Sequence, residues 1–210
     1  MNLDKFTIKA SEALQQAVKK AQQSSQQAIE PEHLYWGLTQ EGENVMGFLY
    51  GKLGVNADNI NKLVEAQISS LPKVTGGDPV LSRDTQKVIS TAEDLAPKMG
   101  DEFVGIEVLL IAILDTDCKM SHIMKDAGFT RDALLKAIDE LRGGEKVKSA
   151  SAEDNYQALE KYARDLVKAA REGKLDPVVG RDKEIQRVLE IIGRRKKNNP
   201  ILIGEPGVGK

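Results

Sequence analysis

Two stretches of this 210-residue chain are copies of one another, and that duplication constrains its fold more than any other feature. At a shift of 75 residues, Leu14 falls on Ile89, Ala17 on Ala92, Ala21 on Ala96, Ile29 on Val104, Glu32 on Glu107, Leu34 on Leu109 and Leu38 on Ile113. After one deletion the shift becomes 74, and Gly54 meets Gly128, Asp58 meets Asp132, Ile60 meets Leu134 and Val64 meets Ile138. The matched apolar residues keep helical spacing in both copies, so the repeat is a repeat of helices.

Each copy reads as four helices. In the first, Phe6 to about Ser24 carries apolar residues on one face, with Thr7 as N-cap. Pro31 suits the first turn of a helix through Leu38. A short helix over 44–52 stops near Gly54, and Asn56 or Asp58 caps a fourth through about Ser69. The second copy repeats this over roughly 82–98, 105–115, 119–126 and 130–142. The repeats therefore span about 1–71 and 79–145, joined by the loop-like run Pro72–Pro79. The fold expected for 1–145 is all-α: eight helices around one core with pseudo-two-fold symmetry. Residues 146–155, small, polar and charged, have linker composition.

The end of the chain has a different character. A helix is expected from about Tyr156 to Arg171, ended by Gly173, with a turn at Asp176-Pro177 and another helix over about 182–194. The apolar run Pro200–Ile203 then leads into Gly204-Glu205-Pro206-Gly207-Val208-Gly209-Lys210. This is G-x-x-x-x-G-K, a phosphate-binding loop without its following Ser or Thr. Glycines in such a loop let backbone N–H groups converge on an anion, and the lysine places a charge on the β- and γ-phosphates. The residues from 156 onward thus read as the incomplete start of an α/β P-loop domain. An orphan strand at 200–203 is marginal, so the tail beyond 146 is expected to be partly disordered in isolation.

Composition excludes several classes. Residues 1–145 carry 15 Lys/Arg against 22 Asp/Glu, a net −7, which argues against nucleic acid as their partner. Residues 146–210 carry 15 against 10, a net +5. Cys118 is the only cysteine, which fits a reducing compartment. No apolar stretch approaches a membrane span, and no signal-peptide pattern opens the chain; the cytoplasm is the expected location. His33 and His122 lack partners at ligand spacing, so no metal is expected.

Taken together, these residues resemble the start of the bacterial ClpB disaggregases, a branch of the Clp-family AAA+ chaperones. The duplicated front half is similar to the Clp amino-terminal domain. Gly173–Asp182 and Arg194-Arg195-Lys196-Lys197-Asn198-Asn199-Pro200 through Lys210 follow the first-ATPase pattern. Met1–Thr7 and Arg142-Gly143-Gly144-Glu145 look more like this branch than like the protease-associated ClpA and ClpC. The resemblance implies a homohexameric, ATP-driven machine that threads unfolded or aggregated polypeptide through a pore. It also implies cooperation with the Hsp70 (DnaK) system after heat stress, through a middle domain downstream. By the same resemblance Gly204, Glu205, Pro206, Gly207, Val208, Gly209 and Lys210 hold the phosphates of ATP with Mg²⁺ in the full-length protein, with no nucleotide expected to bind these 210 residues alone. Val178 and Val179 border the adenine, and Thr7, Asp101 and Glu107 are the polar candidates for substrate contact.

Each of those three has a plainer reading: Thr7 as a helix cap, Asp101 as a solvated loop acid, Glu107 as a first-turn carboxylate that favours the helix dipole. Tyr35 and Trp36 read first as core and second as groove. For Arg194–Lys197 the choice is a solvated helix end or an interface. Three functions compete: the front of a disaggregase, the front of a protease-feeding unfoldase, and a stand-alone protein-binding module. The residues present are expected to bind unfolded polypeptide and not to hydrolyse ATP.

Overall fold

The computed structural model describes residues 3–74, 77–156, 166–175 and 178–205. The chain divides into two units, residues 1–161 and 162–210.

In the first unit the eight expected helices form close to their expected limits. They are α1 Ile8–Gln23, α2 Pro31–Glu41, α3 Glu43–Leu53, α4 Ala57–Ser70, α5 Arg83–Met99, α6 Ile106–Asp115, α7 Lys119–Asp126 and α8 Arg131–Arg142. Side-chain caps define several starts: Thr7, Asn56, Ser82 and Thr130 accept hydrogen bonds from backbone N–H groups three residues on. Glu107 apart, α6 is apolar on every side from Ile106 to Leu114, and every one of those residues is buried, which makes it the central helix. Its counterpart α2 buries Leu34, Tyr35, Gly37 and Leu38. The Tyr35 and Tyr50 hydroxyls meet at 2.9 Å in this core, and burial first, with Tyr50 beside it, pushes the Tyr35 phenol far up. Trp36 is only half-buried, with Lys20 Nζ 4.6 Å from its ring centroid.

The two copies interlock. α1 packs on α2 and α5 on α6, while α3 packs on α8 and α4 on α7, each across the repeat boundary. Short parallel pairings do the same. Strand β1, Ala28–Ile29, pairs with β2, Val80–Leu81, placing Ile29 opposite Leu81. Phe6 bridges Val104 in the same sense. Under the 75-residue shift Phe6 becomes Leu81 and Ile29 becomes Val104, so the two pairings are the same contact made twice. The hydrogen bonds agree: Thr7 N–H donates to Val104 C=O at 3.0 Å, and Ser82 N–H donates to Ile29 C=O at 3.1 Å.

Symmetry is broken where α1 crosses α2. A Cβ at Gly37 would sit 2.2 Å from the Ala13 carbonyl oxygen, so only glycine permits this approach. The equivalent position in α6 is Ala112, and the α5–α6 crossing accommodates its methyl.

The expected linker is corrected by the structure. Residues 145–156 run back over the first unit, with Val147, Ala152, Glu153 and Tyr156 buried and a single helical turn α9 at Ala152–Asn155. Gly143 and Gly144, at φ 61° and 81°, make the reversal: their N–H groups donate to Glu140 and Asp139 carbonyls as the chain leaves α8. Small polar composition resembles a tether, yet main-chain hydrogen bonds hold this segment, and those need no particular side chains.

The second unit contains α10, Leu166–Arg171, and α11, Asp182–Ile192. Gly173 follows α10 with φ 69°, as a helix-ending glycine does. Residues 157–165 of the expected long helix, and the turn at 176–177, lie outside the described residues. The strand expected at 200–203 does not form: Ile201, Leu202 and Ile203 are exposed and pair with no described strand. An isolated extended segment leaves its backbone groups to water, and nothing described here supplies a sheet partner.

Candidate functional site

The strap 145–156 closes over the most polar interior of the first unit. α8 ends with Arg142, which is 6% exposed. Its Nε donates to Glu107 Oε1 at 2.9 Å and its Nη2 lies 2.8 Å from the same oxygen. Its Nη1 donates to both Asp101 oxygens, at 2.9 and 3.2 Å. Burial opposes the guanidinium charge, but Glu107, Tyr156 and Asp101 outweigh it, and the group is held firmly protonated.

Thr7 has two tasks. Its Oγ1 accepts from Ala10 N–H as the α1 cap and donates to Glu153 Oε1 at 2.5 Å. Glu153 Oε1 also accepts from Ile106 N–H at 3.3 Å, the first N–H of α6. Tyr156 O–H donates to Glu107 Oε1 at 2.6 Å. Asp101 and Glu107 thus share the one guanidinium, while Glu153 lies against Glu107 with no cation of its own. Burial first, and the charge of Glu107 second, push the Glu153 carboxyl up to about 7, and burial raises the Tyr156 phenol as well. Glu107 Oε2 and Glu153 Oε2 are buried and find no hydrogen-bond partner among the described residues. Gly105 leaves room for both acids: a Cβ there would lie 2.8 Å from Glu107 Oε2 and 3.2 Å from Glu153 Oε1.

The backbone completes the arrangement. Val147 N–H donates to Asp101 Oδ1 at 2.9 Å, and Val147 C=O accepts from Glu102 N–H at 2.9 Å. Ala150 C=O accepts from Ile8 N–H at 2.8 Å. Outside, Lys9 pairs with Asp154 at 2.9 Å.

The structure therefore brings Thr7 into one cluster with Asp101 and Glu107, which lie 94 and 100 residues further along the sequence. Asp101 is not the solvated loop acid of the plainer reading; it is 5% exposed and bonded on both oxygens. Sequence reasoning missed Arg142, Val147, Glu153 and Tyr156. Its one available signal was Val147, a lone aliphatic in a polar run. Elsewhere, Val178 and Val179 are exposed at 67% and 84%. Gly204 and Glu205 belong to the described residues, while Pro206, Gly207, Val208, Gly209 and Lys210 lie outside them. Cys118 is buried, and burial raises its thiol pKa. No described group of His, Cys, Asp and Glu has the arrangement of a metal site, and no described helix is long and apolar enough to cross a membrane.

Residues 5–127 match the Clp repeat (R) N-terminal domain. The chain belongs to that family. Clp relatives extend the likeness past the domain. Over all 210 residues the chain is 56% identical to the chaperone protein ClpB of Bacteroides thetaiotaomicron and 53% identical to that of Porphyromonas gingivalis. It spans 24% of the length of each. Two solved Clp N-terminal domains share the fold. The Hsp104 N-terminal domain from Candida albicans aligns with TM-score 0.64 at 20% identity, covering 71% of this chain and 99% of that one. The N-terminal domain of the caseinolytic protease associated chaperone ClpD from Arabidopsis thaliana aligns with TM-score 0.53 at 20% identity, covering 68% and 98%. This Clp N-terminal unit is thus a chaperone-family module.

Proposed function

We propose that this chain is the polypeptide-engaging front of an ATP-driven disaggregase. In this reading the Clp repeat unit captures unfolded or aggregated segments, and a homohexameric AAA+ ring in the cytoplasm pulls them through its pore. The Hsp70 (DnaK) system works with it in recovery from heat stress. The observation that carries the reading is identity above 50% to chaperone proteins named ClpB across every residue of both units, the phosphate-loop sequence included. A Clp N-terminal domain shared with protease-associated relatives is common to both unfoldase readings; identity along the whole chain favours this one.

ATP with Mg²⁺ is assigned to Gly204–Lys210, with Val178 and Val179 beside the base. The bound nucleotide would supply the energy of phosphoryl transfer. This chain's own residues would contribute backbone N–H groups and the Lys210 ammonium to the phosphates. Among the described residues Val178 and Val179 present exposed apolar surface, which suits a base edge. Contact of Thr7, Asp101 and Glu107 with substrate belongs to the same proposal and requires the strap to move.

The test is fluorescence anisotropy of a labelled, reduced and alkylated unfolded protein titrated with this chain, with the same protein in its folded form as control. Saturable binding of the unfolded form alone is expected. Equal affinity for the folded form, or no binding at all, contradicts the proposal.

A further inference from the structure

The strap's backbone makes three hydrogen bonds to the rest of the first unit. Both main-chain groups of Val147 are used, the N–H by Asp101 and the C=O by Glu102 N–H, and Ala150 C=O is used by Ile8 N–H. Any residue in an extended conformation can make those three bonds. Only two strap side chains add polar contacts to the cluster: Glu153, to Thr7 and Ile106 N–H, and Tyr156, to Glu107. The strap leaves two buried carboxyl oxygens without partners, so its fit is imperfect. It begins at two left-handed glycines, Gly143 and Gly144.

The first copy shows what the same place holds when the connection is permanent. Under the 74-residue shift Val147 corresponds to Lys73, in the segment joining the repeats, and Asp101 corresponds under the 75-residue shift to Gln26. There Gln26 is fully engaged, its Nε2 donating to Ile68 C=O at 2.5 Å and its Oε1 meeting His33 Nε2 at 2.7 Å. The neutral amide is satisfied from within the fold. The second copy instead has Asp101 accepting a main-chain N–H from the strap.

We propose that residues 145–156 are a latch occupying a main-chain-binding cleft, and that an extended segment of unfolded polypeptide enters the cleft by displacing the latch. The identity of the displacing segment rests on the polypeptide-engagement reading above. Entry reproduces the bonds of Val147 and Ala150 without regard to sequence, as added strands do in other peptide clefts. It exposes Thr7, Asp101, Glu107 and Arg142 to the incoming chain.

Native-state hydrogen exchange on the 210-residue chain tests this. The Ile8, Glu102 and Val147 amides are expected to open together, at least about tenfold more often than core amides of α6 such as Leu109 and Ile113, as one subglobal unit. Saturating reduced and alkylated unfolded protein should change exchange at these three amides while leaving the α6 amides unchanged. Tyr156→Phe removes one strap hydrogen bond and should raise both latch opening and polypeptide affinity about fivefold. Glu153→Gln removes a carboxyl facing Glu107 while keeping its shape. At pH 8 it should lower both by about tenfold, the change equivalent to one pKa unit. Opposite signs for the two variants keep the test informative if either is poorly folded. Exchange of the three amides only with the core overturns the latch. Polypeptide binding with unmoved latch amides overturns the latch and leaves engagement standing, whereas absence of binding in every form overturns both.

Discussion

Two buried ionisable residues of the first unit respond to pH in opposite directions. Glu153 is raised from an ordinary 4.5 to about 7, by burial first and by Glu107 second. Docking of the strap is therefore strongest below about 4.5 and is lost as pH rises towards 7, a change worth roughly 3 kcal/mol. The groups facing it are Thr7 at the cap of α1, the Ile106 N–H and Glu107 of α6, and Tyr156 on the strap itself. His33 is lowered to about 4 by burial; its Nδ1 accepts from Glu30 N–H, which assigns the proton to Nε2 facing Gln26. Its stabilising effect is complete above 6.5 and is lost as pH falls towards 4. Over this shared window the two contributions to global unfolding oppose one another, while strap opening, which leaves His33 in place, should rise steeply with pH. Hydrogen exchange at Val147, corrected for intrinsic rates, is expected to show that slope in the native chain and to lose it in Glu153→Gln. An equal slope in the variant would contradict the assignment. The two symmetric caps give a second residue-level check. Ser82→Ala removes a cap and a part-buried bond to Thr85 Oγ1, together worth about 1 kcal/mol, whereas Thr7→Ala removes the cap and the buried bond to Glu153, costing about 2 kcal/mol. Denaturant unfolding measures both, and equal losses would mean the Thr7–Glu153 bond contributes no more than the Ser82–Thr85 bond.

At the scale of elements, the helices were legible because each carries its own apolar period and its own punctuation. Thr7, Ser82 and Thr130 mark starts, and Gly54, Gly100 and Gly143 mark ends with left-handed φ. What could not be read was pairing between elements distant in sequence. Arg142 meets Asp101 and Glu107 across 41 and 35 residues, and nothing local at any of the three announces the others. The strap was misread for the same reason: its anchors are main-chain groups, which every sequence possesses. The strand at 200–203 was read from its apolar run, yet strands depend on partners and no described element supplies one. Interlocking makes a further outcome predictable. Because α3 packs on α8, α4 on α7, and both parallel pairings cross between copies, residues 1–71 alone lose all of these contacts. A chain of residues 1–71 should show no cooperative thermal transition by circular dichroism, and a sharp one would contradict the interlocked account.

The whole molecule combines an acidic, closely packed repeat unit with a basic segment that carries a phosphate-loop sequence. Family membership explains the first unit, and identity to ClpB chaperones along the full 210 residues connects the second to it. The central claim is that the repeat unit engages unfolded polypeptide at the cleft beneath the strap. Residue-resolved NMR titration of the chain with reduced and alkylated unfolded protein tests it most directly. The account predicts saturable shifts at Ile8, Asp101, Glu102 and Glu107, accompanied by loss of the docked signals of Val147 to Tyr156. Shifts confined to residues 166–205, or no shifts at saturating polypeptide, would contradict it.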